Sequence, residues 1–149
     1  MYGKLTASQI EALLHAEVTA HLGCMDGTRP YVVPISYYYD GRYLYGYTQD
    51  GMKLGMMRTH PLVCVQVEQI EKITNWRSVV AWGTFEELTG AEADEARQAF
   101  TRRFTPLLGG APVQRAHGME GWGKHAADWH DAVVYRIRLT TKTGRYEAS

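Results

Sequence analysis

Two Asp-Gly dipeptides, Asp26-Gly27 and Asp40-Gly41, fall between stretches of alternating or aromatic-rich sequence, and they commit the first third of the chain to antiparallel hairpins. Asp-Gly supplies the positive φ that a tight hairpin turn requires. Before the first turn, Val18, Ala20, Leu22 and Cys24 alternate with Thr19, His21 and Gly23, the period of a half-buried strand. A second strand is expected from about Tyr31 to Tyr39, and a third through Tyr43, Leu44, Tyr45 and Tyr47. The three together predict an antiparallel meander. Pro34 interrupts the second strand, and because proline donates nothing to a ladder, this point must lie on an edge or at a bulge. Unpaired backbone there is available to a ligand.

The rest of the chain extends the same architecture. Thr6-Ala-Ser-Gln9 has capping-box form and precedes Ile10, Leu13 and Leu14 at helical spacing. Gln49 to Thr59 reads as a helix stopped by His60-Pro61. Val63, Val65 and Val67 alternate as a fourth strand, and a polar break from Glu68 to Asn75 leads to a fifth. There Val79, Ala81, Gly83 and Phe85 share one face, with Val80, Trp82 and Thr84 on the other. Both faces of this strand are therefore expected to be covered. Thr89-Gly-Ala-Glu92 is a second capping box, opening a helix with Ala93, Ala96, Ala99, Phe100 and Phe104 on one side and Pro106 at its end. A long segment from Leu107 to Asp131 carries Gly, His and Trp. A last strand places Val133, Tyr135, Ile137 and Leu139 inward, with Arg136 and Arg138 outward. The expectation is one domain over residues 1–149, mostly β with short peripheral helices, in which six antiparallel strands form a closed or partly closed barrel.

Charge narrows the classes of function. Lys plus Arg equals Asp plus Glu, 16 each, so there is no basic field to gather a nucleic-acid backbone. No apolar run is long enough for a signal core or a membrane span, and a cytoplasmic location is expected. Cys24 and Cys64 sit inside apolar strand patterns and read as small buried hydrophobes rather than a disulfide pair. Seven of the ten tyrosines, from Tyr31 to Tyr47, crowd one region, where a flat ligand, a subunit interface or plain cross-strand packing could use them.

Gly51-Met52-Lys53 stands at a helix start directly after the Tyr-rich strand, and a lysine beside free helix amides is a phosphate cradle. An isolated lysine on a solvated helix would need no ligand; its position after Asp50-Gly51 favours the phosphate. His117, His125 and His130, with Asp128 and Asp131, are numerous enough for a metal or haem site, but their spacing fits no ligand template, and a lid or an interface is the better reading. Trp122 and Trp129 could cover a ligand or anchor that loop. His15 and His21 read as partly buried structural histidines. Cys64 with His60 lacks the electropositive setting a nucleophile needs, and the adjacent Glu86 and Glu87 point to opposite faces.

Three stretches together, Gly27-Thr-Arg-Pro-Tyr-Val-Val-Pro-Ile-Ser-Tyr37, Leu44-Tyr-Gly-Tyr-Thr-Gln-Asp-Gly-Met-Lys-Leu54 and Met57-Arg-Thr-His-Pro-Leu-Val-Cys64, followed by Trp76-Arg-Ser-Val-Val-Ala-Trp-Gly83, carry a resemblance. The chain resembles the flavin-binding split-barrel superfamily of pyridoxamine 5'-phosphate oxidase and the nitroimidazole-resistance proteins. The resemblance implies a homodimer of six-stranded split β-barrels with FMN in each of two interface clefts. At matching positions, Pro34, Ile35 and Ser36 would offer backbone to the isoalloxazine edge, while Thr48 and Lys53 would hold the phosphate, with Tyr47 and Gly51 also among the cofactor-binding residues. Trp76, Arg77, Ser78 and Val79 of the second subunit would reach the same cofactor. The substrate-recognising C-terminal Trp-Arg-x-Arg sequence of the vitamin-processing oxidases has no match, and the third strand reads Tyr45-Gly46-Tyr47 where nitroimidazole-resistance proteins tend to carry a histidine. The implied function is a small FMN-dependent oxidoreductase that moves electrons from a reduced nicotinamide or another donor to a small planar acceptor. The alternative is a non-catalytic flavin- or haem-binding protein used for storage, sensing or detoxification.

Overall fold

The computed structural model describes residues 1–49, 51–108 and 132–149. The chain runs β1 (Tyr2–Lys4), α1 (Ala7–Ala16), β2 (Thr19–Met25), β3 (Pro30–Ser36), β4 (Tyr38–Tyr39), β5 (Tyr43–Thr48), α2 (Met52–Thr59), β6 (Leu62–Lys72), β7 (Asn75–Glu87), α3 (Gly90–Leu108) and β8 (Val133–Glu147). The strands form one antiparallel sheet in the order β3-β2-β6-β7-β8-β5-β4, with β1 also paired to β8. Its two ends, β3 and β4, do not ladder together, so the barrel is split rather than closed.

Eight strands replace the expected six. The anticipated second strand divides at Tyr37, and this corrects the meander. Pro30–Ser36 pairs with β2, whereas Tyr38–Tyr39 pairs with β5. Tyr37 is pinned at the crossover, its amide donating to the Val18 carbonyl at 2.9 Å and its buried hydroxyl donating to the Leu14 carbonyl at 2.7 Å. The other addition, β1, is three residues long, too short for alternation to show. Pro34 lies on the edge strand, opposite His21 with no shift of register, so its missing N–H interrupts no interior ladder.

The polar stretch from Glu68 to Asn75 is not a break. β6 continues to Lys72 and turns through two residues into β7, because the outward side chains of this long hairpin are solvated and polarity there opposes nothing. For the same reason β8 extends to Glu147, well past the inward run ending at Leu139. Pro106 does not end α3 but sits inside it, two residues from the last helical position. A proline so near the end removes one backbone bond, while Phe100 and Phe104, both fully buried, hold the helix down. The Thr6–Gln9 box forms as expected, with both reciprocal bonds present. At the start of α3, Glu92 instead turns its carboxylate to Arg136 at 3.1 Å.

The barrel interior is one apolar cluster, built from the inward positions of the strands with Leu13 and Leu14 of α1 and Leu54 and Met57 of α2. On the outer side of β4, β5 and β8, α3 buries Phe100 and Phe104 against Tyr38, Tyr45 and Tyr47. The tyrosine crowd thus serves mainly to seat helices. Tyr38 stacks on Tyr45 with ring centroids 5.6 Å apart, and Tyr47 meets Phe100 edge-on at 5.2 Å.

Candidate functional site

The end of β5 and the start of α2 bring Thr48, Gly51 and Lys53 together. Thr48 faces the barrel interior and is buried, its hydroxyl donating to the Gln49 carbonyl at 2.8 Å. Gly51 is the N-cap of α2 in extended backbone, and with no side-chain acceptor there the first-turn amides remain open to a ligand. Lys53 follows in the first turn. It is half-buried, and burial pushes its ammonium below the ordinary lysine value. The titratable group coupled to it is the Cys24 thiol, which burial pushes up and Lys53 partly offsets. Among the described residues no carboxylate pairs with Lys53. A partly desolvated cation with no counter-ion among the described residues, beside helix amides that no side chain caps, suits a dianion.

The remaining expected residues are placed as follows. Ile35 and Ser36 are buried and Pro34 is exposed, all three on the edge strand β3. Tyr47 neighbours Thr48 in sequence but points to the opposite face, where its ring is taken up by α3. Trp76, Arg77, Ser78 and Val79 open β7 at the other end of the sheet. Trp76 donates its indole N–H to Glu147 at 3.2 Å, the Ser78 hydroxyl accepts from Gln66 at 2.9 Å, Arg77 is exposed and Val79 lies in the core. The C-terminal turn of α2 sits at the far end of that strand, Arg58 bonding Glu87 at 2.7 Å. Glu87 lies eleven positions along β7 from Trp76, about 36 Å at the usual strand rise. One chain does not join Trp76 to Lys53.

The outer face of the barrel carries a feature the sequence reading passed over. From Leu62 to Gln66 on β6, from Ser78 to Thr84 on β7, and along β2 and β3, the outward positions hold no Asp, Glu, Lys or Arg. Val32, Leu62 and Trp82 are exposed there, at 65%, 69% and 39%. Through the middle runs a polar row: His21 Nδ1 lies 3.3 Å from Oε1 of Gln66, its cross-strand partner, and Gln66 Nε2 donates on the diagonal to Ser78 Oγ. Parity along the strands was the available signal. It becomes readable only once the pairing of β2, β6 and β7 is known.

Both histidines expected to be partly buried are exposed. His15 lies against Tyr39, with ring centroids 4.8 Å apart, and His21 stands in the polar row. Glu86 and Glu87 do face opposite ways, each in an ion pair, with Arg136 and Arg58. Tyr39, Glu11 and Lys142 form a further cluster the sequence did not announce, in which the carboxylate accepts from the hydroxyl at 2.7 Å and from the ammonium at 2.8 Å. Burial opposes the charge on Glu11, but these two donors hold its carboxyl below the ordinary value. His117, His125, His130, Trp122, Trp129, Asp128 and Asp131 lie outside the described residues. Among the described residues no cluster of His, Cys, Asp and Glu could hold a metal ion, and no helix is long and apolar enough to cross a membrane.

A family model described as pyridoxamine 5'-phosphate oxidase matches residues 6–146. The chain belongs to the pyridoxamine 5'-phosphate oxidase family. An uncharacterised protein of Rhizobium meliloti is 31% identical over 88 residues, which are 59% of this chain and 58% of that protein's length. A FAD-binding protein of Mesorhizobium loti is 27% identical and superposes with a TM-score of 0.77 over 99% of each chain. A putative 5-nitroimidazole resistance protein of Bacteroides thetaiotaomicron, 17% identical, superposes at 0.72 over 98% of this chain and 87% of its own. At that identity the last likeness speaks for the fold alone. As a pyridoxamine 5'-phosphate oxidase family member, the chain has the split barrel its residues suggested.

Proposed function

We propose that this protein binds FMN between two copies of the chain and passes electrons from a reduced nicotinamide, or another donor, to a small planar acceptor. The observation that carries the reading is Lys53, a half-buried cation with no carboxylate partner among the described residues, at an uncapped helix start beside buried Thr48. The likeness to a FAD-binding protein over the whole chain supports a flavin, and a cradle for a terminal phosphate favours the mononucleotide. When bound, the flavin ring supplies the electron-transfer chemistry that side chains lack.

The chain's own residues would do the rest. Lys53 and the first-turn amides of α2 neutralise the phosphate, with Thr48 closing one side. Pro34, Ile35 and Ser36 lie on the edge strand, where Pro34 offers a backbone carbonyl but no donor. The uncharged outer face seats the second copy, since interface cores are depleted of charge. That copy brings its Trp76, Arg77 and Ser78 to the cleft that one chain leaves incomplete. Two unpaired thiols, Cys24 and Cys64, suit a reducing compartment, and we take the cytoplasm as its place.

The test is a titration of flavin-free protein with FMN and with riboflavin, in the parent and in Lys53→Ala. The variant is expected to lose about tenfold or more in FMN affinity, the worth of a charged hydrogen bond, while riboflavin is unaffected. Equal FMN affinities would remove Lys53 from the site, and a parent that takes up no flavin would sink the reading. Steady-state reduction of a quinone by a reduced nicotinamide separates an enzyme from a storage or sensing protein.

A further inference from the structure

The outer face described above contains one side chain whose charge changes between pH 5 and 8. His21 stands on β2 at the centre of that face, Pro34 of β3 on one side and Gln66 of β6 on the other. Its ring Nδ1 lies 3.3 Å from Gln66 Oε1, and the same amide's nitrogen donates to Ser78 Oγ at 2.9 Å and reaches Glu68 Oε2 at 3.4 Å. The neighbours facing His21 are few. β3 offers Val32 and Pro34, β7 offers Ser78 and Val80, and β2 itself adds Thr19 and Gly23, none of them titratable. β6 adds the Cys64 thiol and, beyond Gln66, the Glu68 carboxylate at the rim. No carboxylate contacts the imidazole directly among the described residues.

We propose that the contact between two copies of this chain is proton-sensitive through His21, so that mild acid separates the subunits and opens the flavin cleft. The inference rests on the second copy proposed above. An uncharged face is complementary to another uncharged face and to little else, and at its centre Pro34, His21, Gln66 and Val80 lie in register across β3, β2, β6 and β7, a surface on which the same residues of a symmetry mate can meet. Buried between two such faces, imidazolium would lose its water without gaining a counter-ion, which disfavours the charged form. Each subunit contributes one such group. The association equilibrium is therefore linked to the release of up to two protons, and acid pulls it toward monomers.

The experiment is sedimentation of the full chain across micromolar concentrations at pH 7.5 and pH 5.5, for the parent, His21→Gln and His21→Asn, with bound FMN followed by its fluorescence in parallel. The parent dimer is expected to weaken by about tenfold or more at pH 5.5, with FMN released over the same range. Both variants keep a neutral amide beside Gln66 and are expected to dimerise almost equally at the two pH values. Two different side chains guard against a packing effect peculiar to one of them. A parent dimer of equal strength at both pH values overturns this inference and leaves the flavin reading standing. The same acid sensitivity in both variants also overturns it, assigning the effect to another group. A parent that sediments as a monomer at pH 7.5 refutes the paired cleft itself, and the switch with it.

Discussion

Replacing Tyr135 with Phe is expected to make the protein more stable. Tyr135 sits on β8 directly across from Gly46 of β5, and its ring bends over that glycine, so a Cβ at position 46 would fall inside the ring's van der Waals envelope. The side chain is fully buried in the barrel core, 5.5 Å from the Phe85 ring. Its hydroxyl has no hydrogen-bond partner among the described residues, and burial pushes the phenol well above its ordinary pKa. An unsatisfied buried hydroxyl costs about 1–3 kcal/mol of desolvation. Its removal leaves the ring and its contacts in place. With a small loss of dispersion set against that gain, the net expectation is about 1 kcal/mol or more, or about 2–4 °C in Tm for a chain of this size. Thermal melts of flavin-free parent and Tyr135→Phe, followed by circular dichroism at one scan rate, measure it. A fall in Tm would refute the reasoning and show that a buried water satisfies the hydroxyl.

Gly46→Ala tests the same packing from the other side: the added methyl meets the Tyr135 ring, and overpacking of this kind costs about 1–3 kcal/mol, read as a lower urea midpoint. Gly83→Ala is expected to be worse, because its Cβ would meet the Arg138 carbonyl at the β7–β8 irregularity and backbone cannot swing aside; soluble expression at the parent's yield would contradict this. The folded-state pKa of Lys53 lies below its unfolded value of 10.5, so the unfolded chain binds more protons in between, and apo-protein stability should rise with pH toward 10.5 in the parent relative to Lys53→Met. Glu11 has the opposite sign: its stabilising clasp with Lys142 and Tyr39 is present above the unfolded carboxylate value and is lost as pH falls through the lowered folded value, so Lys142→Met should flatten the acid limb of the melting curve. With saturating FMN, Ser36→Ala, Tyr47→Phe and His125→Ala should each retain quinone reduction within the hundredfold that marks a lost general acid or base, and a greater loss in one would identify a proton-transfer residue.

The architecture was largely legible in local chemistry. Asp-Gly turns, period-two alternation, the Thr6 capping box and the valines of β6 and β7 each act over a few residues, and each produced the element expected of it. The lysine at the start of α2 was equally readable, because the helix start and the cation are neighbours in sequence. What local chemistry could not decide was which strand pairs with which. The division at Tyr37 depends on Leu14 and Val18, residues far back in the chain that claim its hydroxyl and its amide. The polar run from Glu68 to Asn75 looked like a break because polarity has the same signature in a loop as on the solvated side of a long hairpin. Likewise the Tyr47 ring turns to α3, a helix whose position on the sheet no pattern near Tyr47 encodes. The uncharged face with His21 at its centre exists only as the register of β3, β2, β6 and β7, side chains scattered over more than sixty positions of sequence that pairing lays edge to edge.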